Sequence, residues 1–205
     1  MTNDSNLTIQ WIPIDIEKKK INQVGFYPSN DKIFVLATEY NNFLVWDIER
    51  QTCVYKDKGR ARFSANGRHL VSLNYGVHVF TMADGFKQER SFPIPTAESY
   101  AAYGKFFALH PEKNIAAFSS WGRTILSIFD YINGSEIWRG HTDNAIEDGR
   151  FSPNGNFLVI HGSGVIQIWE VHGKHVFQRQ SISVDNSVKD VAFFSNNEKI
   201  LAILT

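Results

Sequence analysis

The sequence predicts an all-β propeller with four recognisable four-stranded blades and part of a fifth, and three observations predict it. A short motif recurs five times in which an apolar anchor precedes a polar reverse turn: Phe26-Tyr27-Pro28-Ser29-Asn30, Phe63-Ser64-Ala65-Asn66-Gly67, Leu109-His110-Pro111-Glu112-Lys113, Phe151-Ser152-Pro153-Asn154-Gly155 and Phe193-Phe194-Ser195-Asn196-Asn197. The anchors stand 37, 46, 42 and 42 positions apart, close to the length of one four-stranded blade. An aromatic then closes a strand-like stretch 20, 17, 20 and 18 residues after the first four anchors, at Trp46, Phe80, Phe129 and Trp169.

Each unit reads as four short strands, a to d, from the axis outward. The first, 21–56, carries the apolar run Ile33-Phe34-Val35-Leu36-Ala37 and then Phe43-Leu44-Val45-Trp46-Asp47. In the second, 57–92, Asn66-Gly67 supplies the turn and Val77-His78-Val79-Phe80 the third strand. Ser91 to Tyr103, with Pro93 and Pro95, reads as an extended connection and accounts for the 46-residue spacing. The third unit, 103–139, has Ile125 to Asp130 as strand c and turns at Asn133-Gly134. The fourth, 140–180, is the clearest: strand a ends at Phe151, strand b is Phe157 to Ile160, Gly162-Ser163-Gly164 closes the hairpin, Val165 to Val171 is strand c, and strand d lies around His175-Val176-Phe177. Asn-Gly and Gly-rich steps supply the positive φ of tight hairpins, and no segment sustains a helical period with caps. Unit 187–205 has room for a second strand at Ile200 to Leu204 and no more.

Trp46-Asp47, with the near variants Trp169-Glu170 and Phe129-Asp130, Phe80-Thr81 keeping only the aromatic, and the single Gly140-His141 standing 28 residues before Trp169, resembles the WD-repeat β-propeller family in degenerate form over roughly residues 7–205. The resemblance implies that the strand-c aromatics pack between blades and that His141 is a buried hydrogen-bonding residue. With Gly-His absent from the other units and no Asp in Gly162-Ser163-Gly164, the family's buried polar network is incomplete even in the best unit. Propellers of this kind close by pairing an N-terminal strand with the last blade, which assigns Leu7 to Ile16 to the fifth blade. The fifth blade then still falls about one strand short, which favours an incomplete portion of a larger ring. Such a ring has open blade edges through which the chain would self-associate.

Composition narrows the function. Twenty-one basic residues balance 21 acidic ones, so no global field draws the chain to nucleic acid or an anionic membrane, and Lys18-Lys19-Lys20 reads as a solvated turn. Cys53 is the single cysteine; it rules out an intrachain disulfide framework and suits a reducing compartment. Met1 to Asn6 has neither a basic nor an apolar leader region, and the apolar runs are too short to span a bilayer. The expectation is a cytoplasmic chain without cofactor or metal.

No phosphate loop, dinucleotide fingerprint or nucleophile elbow occurs. His172 and His175 lack further metal ligands nearby, Glu147 and Asp148 as strand neighbours point to opposite faces, and nothing basic adjoins Cys53; each reads as structural, and no catalytic residue is assigned. A more informative pattern lies in the hairpins between strands b and c, which hold Tyr40, Tyr75, Trp121 with Arg123, and His161. Equivalent loops lie on one end of a propeller, and aromatic and Arg side chains dominate protein-binding surfaces. The expectation is a non-catalytic scaffold that offers this arc to a protein or peptide. The rival is a small-anion or enzymatic site in the central channel, lined by Arg62, Lys105, Arg150 and Lys189 near the inner anchors. A third reading is a sensor module or fragment of a larger propeller protein.

Overall fold

The computed structural model describes residues 20–38, 42–83, 85–94, 106–120, 122–194 and 199–204. Every element in it is a β-strand, and consecutive strands pair as antiparallel meanders. The first blade is β1 (Ile21–Tyr27), β2 (Asn30–Thr38), β3 (Asn42–Asp47) and β4 (Thr52–Lys58). β5 (Arg60–Phe63), β6 (His69–Leu73), β7 (Gly76–Thr81) and β8 (Lys87–Pro93) form the second. The third comprises β9 (Phe107–Leu109), β10 (Ile115–Ser119), β11 (Ile125–Asp130) and β12 (Ser135–His141); the fourth, β13 (Asp148–Phe151), β14 (Phe157–Gly162), β15 (Val165–His172) and β16 (His175–Ser183). A fifth sheet has two strands, β17 (Val188–Phe194) and β18 (Lys199–Leu204). Four four-stranded sheets arranged as propeller blades are thus the architecture that the repeat predicts.

The core lies between blades. Val35, Phe43 and Val45 pack on Ala61, Leu70 and Phe80 of the second blade. Val71, Leu73, Val77 and Val79 meet Phe107, Phe118 and Phe129 of the third, and Phe106, Leu126 and Ile128 meet Leu158, Ile160 and Trp169 of the fourth. Burial on both sheet faces explains why strands b and c read as continuous apolar runs rather than alternating ones. In each of these interfaces the strand-c aromatic faces the preceding blade, and all are buried. Trp46 obeys the same rule on the other side of the first blade, where it clusters with Phe34 and Leu36.

One irregularity recurs in all four blades. The ladder between strands c and d shifts register immediately before the strand-c aromatic, at Val45/Trp46, Val79/Phe80, Ile128/Phe129 and Ile168/Trp169. Each shift leaves one extra residue on strand d, so the outer strand is bulged and its twist sharpened beside the ring that fills the interface.

Two boundaries depart from the sequence reading. β8 continues to Pro93, so Ser91 to Pro93 belong to a strand and not to the connection; Pro93 is tolerated because strand d is an edge. β14 runs to Gly162, and the hairpin consists of Ser163 and Gly164 alone, at φ of 50° and 76°. Two consecutive left-handed residues match the twist of the flanking strands. His161 is therefore a strand residue.

Candidate functional site: the two ends of the axis

Antiparallel meandering puts the b–c hairpins and the approaches to the inner strands at one end, and the a–b turns at the other. Contacts tie the first end together. A side chain on Gly59 would collide with Leu73 and Asn74, and one on Gly162 with Ala145 and Glu147. Ile146 N donates to Arg123 O at 2.8 Å, and Glu147 N to His161 O at 2.8 Å. In the second blade, His78 Nε2 lies 2.9 Å from Asn74 O, and Ser91 Oγ lies 3.0 Å from His78 Nδ1. A carbonyl only accepts, so Nε2 carries the proton and Nδ1 accepts from the hydroxyl. That relay fixes the tip bearing Tyr75.

Tyr75 stands at this tip, 58% exposed, with φ of 53°. Arg123 has φ of 63° and pairs with Glu147 at 3.4 Å, its side chain 35% exposed. Left-handed backbone is unusual at large side chains and costs on the order of 1 kcal/mol each. His161, expected in the displayed arc, is 3% exposed. Neither of its ring nitrogens has a hydrogen-bond partner among the described residues, and burial holds its pKa below the usual imidazole value despite Asp148, Asp190 and Glu147 nearby. It borders a cavity of about 10 Å³ together with Asn144, Ile146 and Gln167. His161 thus fills the core instead of the rim, because the hairpin is one residue tighter than its three small residues suggest. Tyr40 and Trp121 lie outside the described residues.

His141 is corrected too. It ends strand d of the third blade and is exposed; the buried polar residue at that corner is Thr142, whose Oγ donates to Asn144 O at 2.9 Å. Asp47 is buried and accepts from Arg50 N at 3.0 Å, which shapes the c–d turn. Asp130 accepts from Ile132 N and Asn133 N at 2.9 Å in the same way.

At the axis, inner strands β1, β5, β9, β13 and β17 together border one cavity of about 440 Å³. Gln23, Arg62, Arg150, His110 and Ser152 are its polar lining residues, while Phe26, Phe63, Leu109, Phe151 and Phe193 form much of its apolar wall. Arg62 Nε donates to Phe107 O across the blade boundary at 2.6 Å. With the Gln23 amide oxygen facing the guanidinium, that oxygen lies 3.0, 3.0 and 3.3 Å from Nε, Nη1 and Nη2. An atom nearly equidistant from all three nitrogens sits over the plane and not along any N–H, so the amide stacks on one face of the group. Burial lowers the Arg62 pKa; Asp148 opposes this, while Arg150 and Arg60 add to it. Arg150 Nη2 donates to Asp190 Oδ1. Lys189 is exposed and takes no part in the cavity wall, and Lys105 lies outside the described residues. The axial set that sequence reasoning assembled is therefore brought together at Arg62 and Arg150, while Gln23 and the ring of apolar anchors were missed; each anchor was read only as the start of a turn.

Outside these two ends, His172 Nε2 and Glu170 Oε1 are 2.8 Å apart, and Cys53 Sγ lies 3.2 Å from Tyr55 O. Among the described residues no three His, Cys, Asp or Glu side chains gather as a metal site, and no helix is long and apolar enough to cross a membrane. No protein-family model matches the sequence, and no curated protein matches it.

Proposed function

We propose that this propeller is a non-catalytic interaction scaffold of the WD-repeat kind, working in the cytoplasm, and that its b–c hairpin end receives a protein or peptide partner. One observation carries the reading: Tyr75, 58% exposed, and Arg123 stand at hairpin tips on the same end in left-handed backbone, at φ of 53° and 63°, a conformation that Gln51 and Phe86 also adopt on the c–d turns. Backbone strain of this kind persists where the surroundings impose it, and it concentrates where a side chain must be aimed. The His78–Ser91 relay and the Arg123–Glu147 pair supply that support. A tyrosine ring contributes much contact area with few rotamers to freeze, and an arginine adds planar donors.

The test compares ends. Tyr75→Ser and Arg123→Ser alter the b–c end, whereas Arg50→Ser and Lys174→Ser alter exposed c–d tips. Partner capture from a lysate with quantitative mass spectrometry should show a set held by wild type and by the c–d variants. That set should fall about tenfold or more with Tyr75→Ser. Equal capture by all five proteins, or loss confined to the c–d variants, overturns the reading.

A further inference from the structure

The axial cavity lies at the end opposite the proposed scaffold surface, and the inference drawn from it does not rest on that reading. A guanidinium stays charged in proteins, and a buried charge without a counter-ion is costly unless other groups compensate. Arg62 is half-buried on β5, between β1 and β9, yet its direct partners among the described residues are neutral: the Phe107 carbonyl along Nε and the Gln23 amide above the plane. Asp148 acts on it only electrostatically, and that carboxylate is shared with Arg60 and His161. Arg150, the second guanidinium of the cavity, is engaged by Asp190 through Nη2. Across the guanidinium face lies space of about 440 Å³, within the range of small-molecule pockets.

We propose that this cavity binds a carboxylate carried on an apolar body, with the carboxylate on the Arg62 edge and the body against Phe26, Phe63, Phe151 and Phe193. Two features select this chemistry. A carboxylate matches the parallel donors of a guanidinium, and the bond is charge-assisted. The rings around the arginines give nothing to a bare inorganic ion but remove apolar area from water when a ring or branched chain enters. The same chemistry occurs in a free aryl or alkyl acid and at a peptide C-terminus that ends in an apolar residue.

Titration calorimetry with defined probes separates these. N-acetylphenylalanine should bind, and N-acetylphenylalaninamide, identical in body but uncharged, should bind roughly tenfold more weakly or worse, as should inorganic phosphate. A hexapeptide ending in free Phe, beside its C-terminal amide, distinguishes the sources: tighter binding of the acid peptide than of N-acetylphenylalanine identifies a chain terminus, and failure of the peptide alone identifies a free acid. Arg62→Met should lose the preference for acid over amide. Because Arg62 bridges three inner strands, its variant is judged only if its thermal melt remains cooperative. Phe26→Ser, at a side chain 60% exposed, leaves the core intact and should weaken binding several-fold. Absence of heat with both acids, equal binding of acid and amide, phosphate binding as tight as the acid, or unchanged affinity in Phe26→Ser overturns the proposal.

Discussion

His110 shows how the residue after the anchor can cap its turn through backbone donors different from those that a smaller residue engages elsewhere in the repeat. In the second and fourth blades the residue after the anchor is serine: Ser64 Oγ accepts from His69 N and Ser152 Oγ from Phe157 N, both at 3.0 Å. In the third blade His110 Nδ1 accepts from Glu112 N and Lys113 N at 3.0 Å. Its ring is 2% exposed and lies 5.2 Å from Phe151, beneath Gly155, whose φ of 78° and lack of a side chain admit it. Burial, with Lys113 adding to it, lowers the His110 pKa to about 4. Since the folded pKa lies below the unfolded value, the folded state binds fewer protons between them, and stability falls as pH drops from about 6.5 to about 4. His69 and His161 shift in the same direction. The expected loss from His110 is on the order of 3 kcal/mol. Melts from pH 7 to pH 4 should show it, and His110→Asn, which retains an acceptor, should flatten the slope; an unchanged slope refutes the role. At this scale the sequence was legible in part. A turn motif identifies position 110, but whether its imidazole faces water or the next blade depends on a glycine 45 positions away.

Among the elements, strand c was the most legible because burial on both faces leaves an uninterrupted apolar run that ends on a ring. Strand d was the least: it has one exposed face and a bulge, so neither its length nor its register follows from alternation, and the sequence reading stopped well short of Ser183. The inner strands posed a different problem. Arg60 and Arg62 alternate with Ala61, which is buried, but an inner strand meets neighbours on both faces, so period two alone does not say which face reaches the axis. A second regularity emerges only from the structure. The first and third blades share a ring after the anchor, Tyr27 and His110, an Asp-capped c–d turn, and an apolar bulge residue, Val54 and Ile137. The second and fourth share a serine, an Asn-Gly turn, and a charged bulge residue, Glu89 and Arg179. Blades therefore alternate in kind, and ring meets glycine where the first blade adjoins the second and the third adjoins the fourth: Tyr27 and Ser29 lie beneath Gly67 as His110 lies beneath Gly155. The blade interface makes a direct prediction. Trp169 is buried, sits 5.4 Å from the Trp138 ring and donates from Nε1 to Gln167 Oε1 at 3.1 Å. Trp169→Ala should cost about 3–5 kcal/mol in denaturant unfolding, and a loss below 1 kcal/mol would contradict its place in the core.

For the whole molecule, an asymmetry among the described residues separates faces that meet another blade from the outward face of the first. Val24 and Phe26 pair across β1 and β2 with Leu36 and Phe34 on the face that holds Trp46, and they are 51% and 60% exposed. Every later blade covers the corresponding face with its predecessor. The net charge of zero provides no repulsion between copies, so sedimentation velocity should show mass increasing with concentration. Val24→Lys should shift the chain toward monomer; a monomer at all concentrations, or a variant that associates like wild type, refutes this. The number of blades was legible because each repeats the same punctuation, whereas contact between first and last elements has no local signature. The strand-d bulges bear on the same hazard from the opposite direction. Four outermost strands lie along the circumference, where straight hydrogen-bonding edges would template further strands. A dislocation at Val54, Glu89, Ile137 and Arg179 interrupts each such edge. Interrupted edges of this kind disfavour fibril-like stacking along the perimeter.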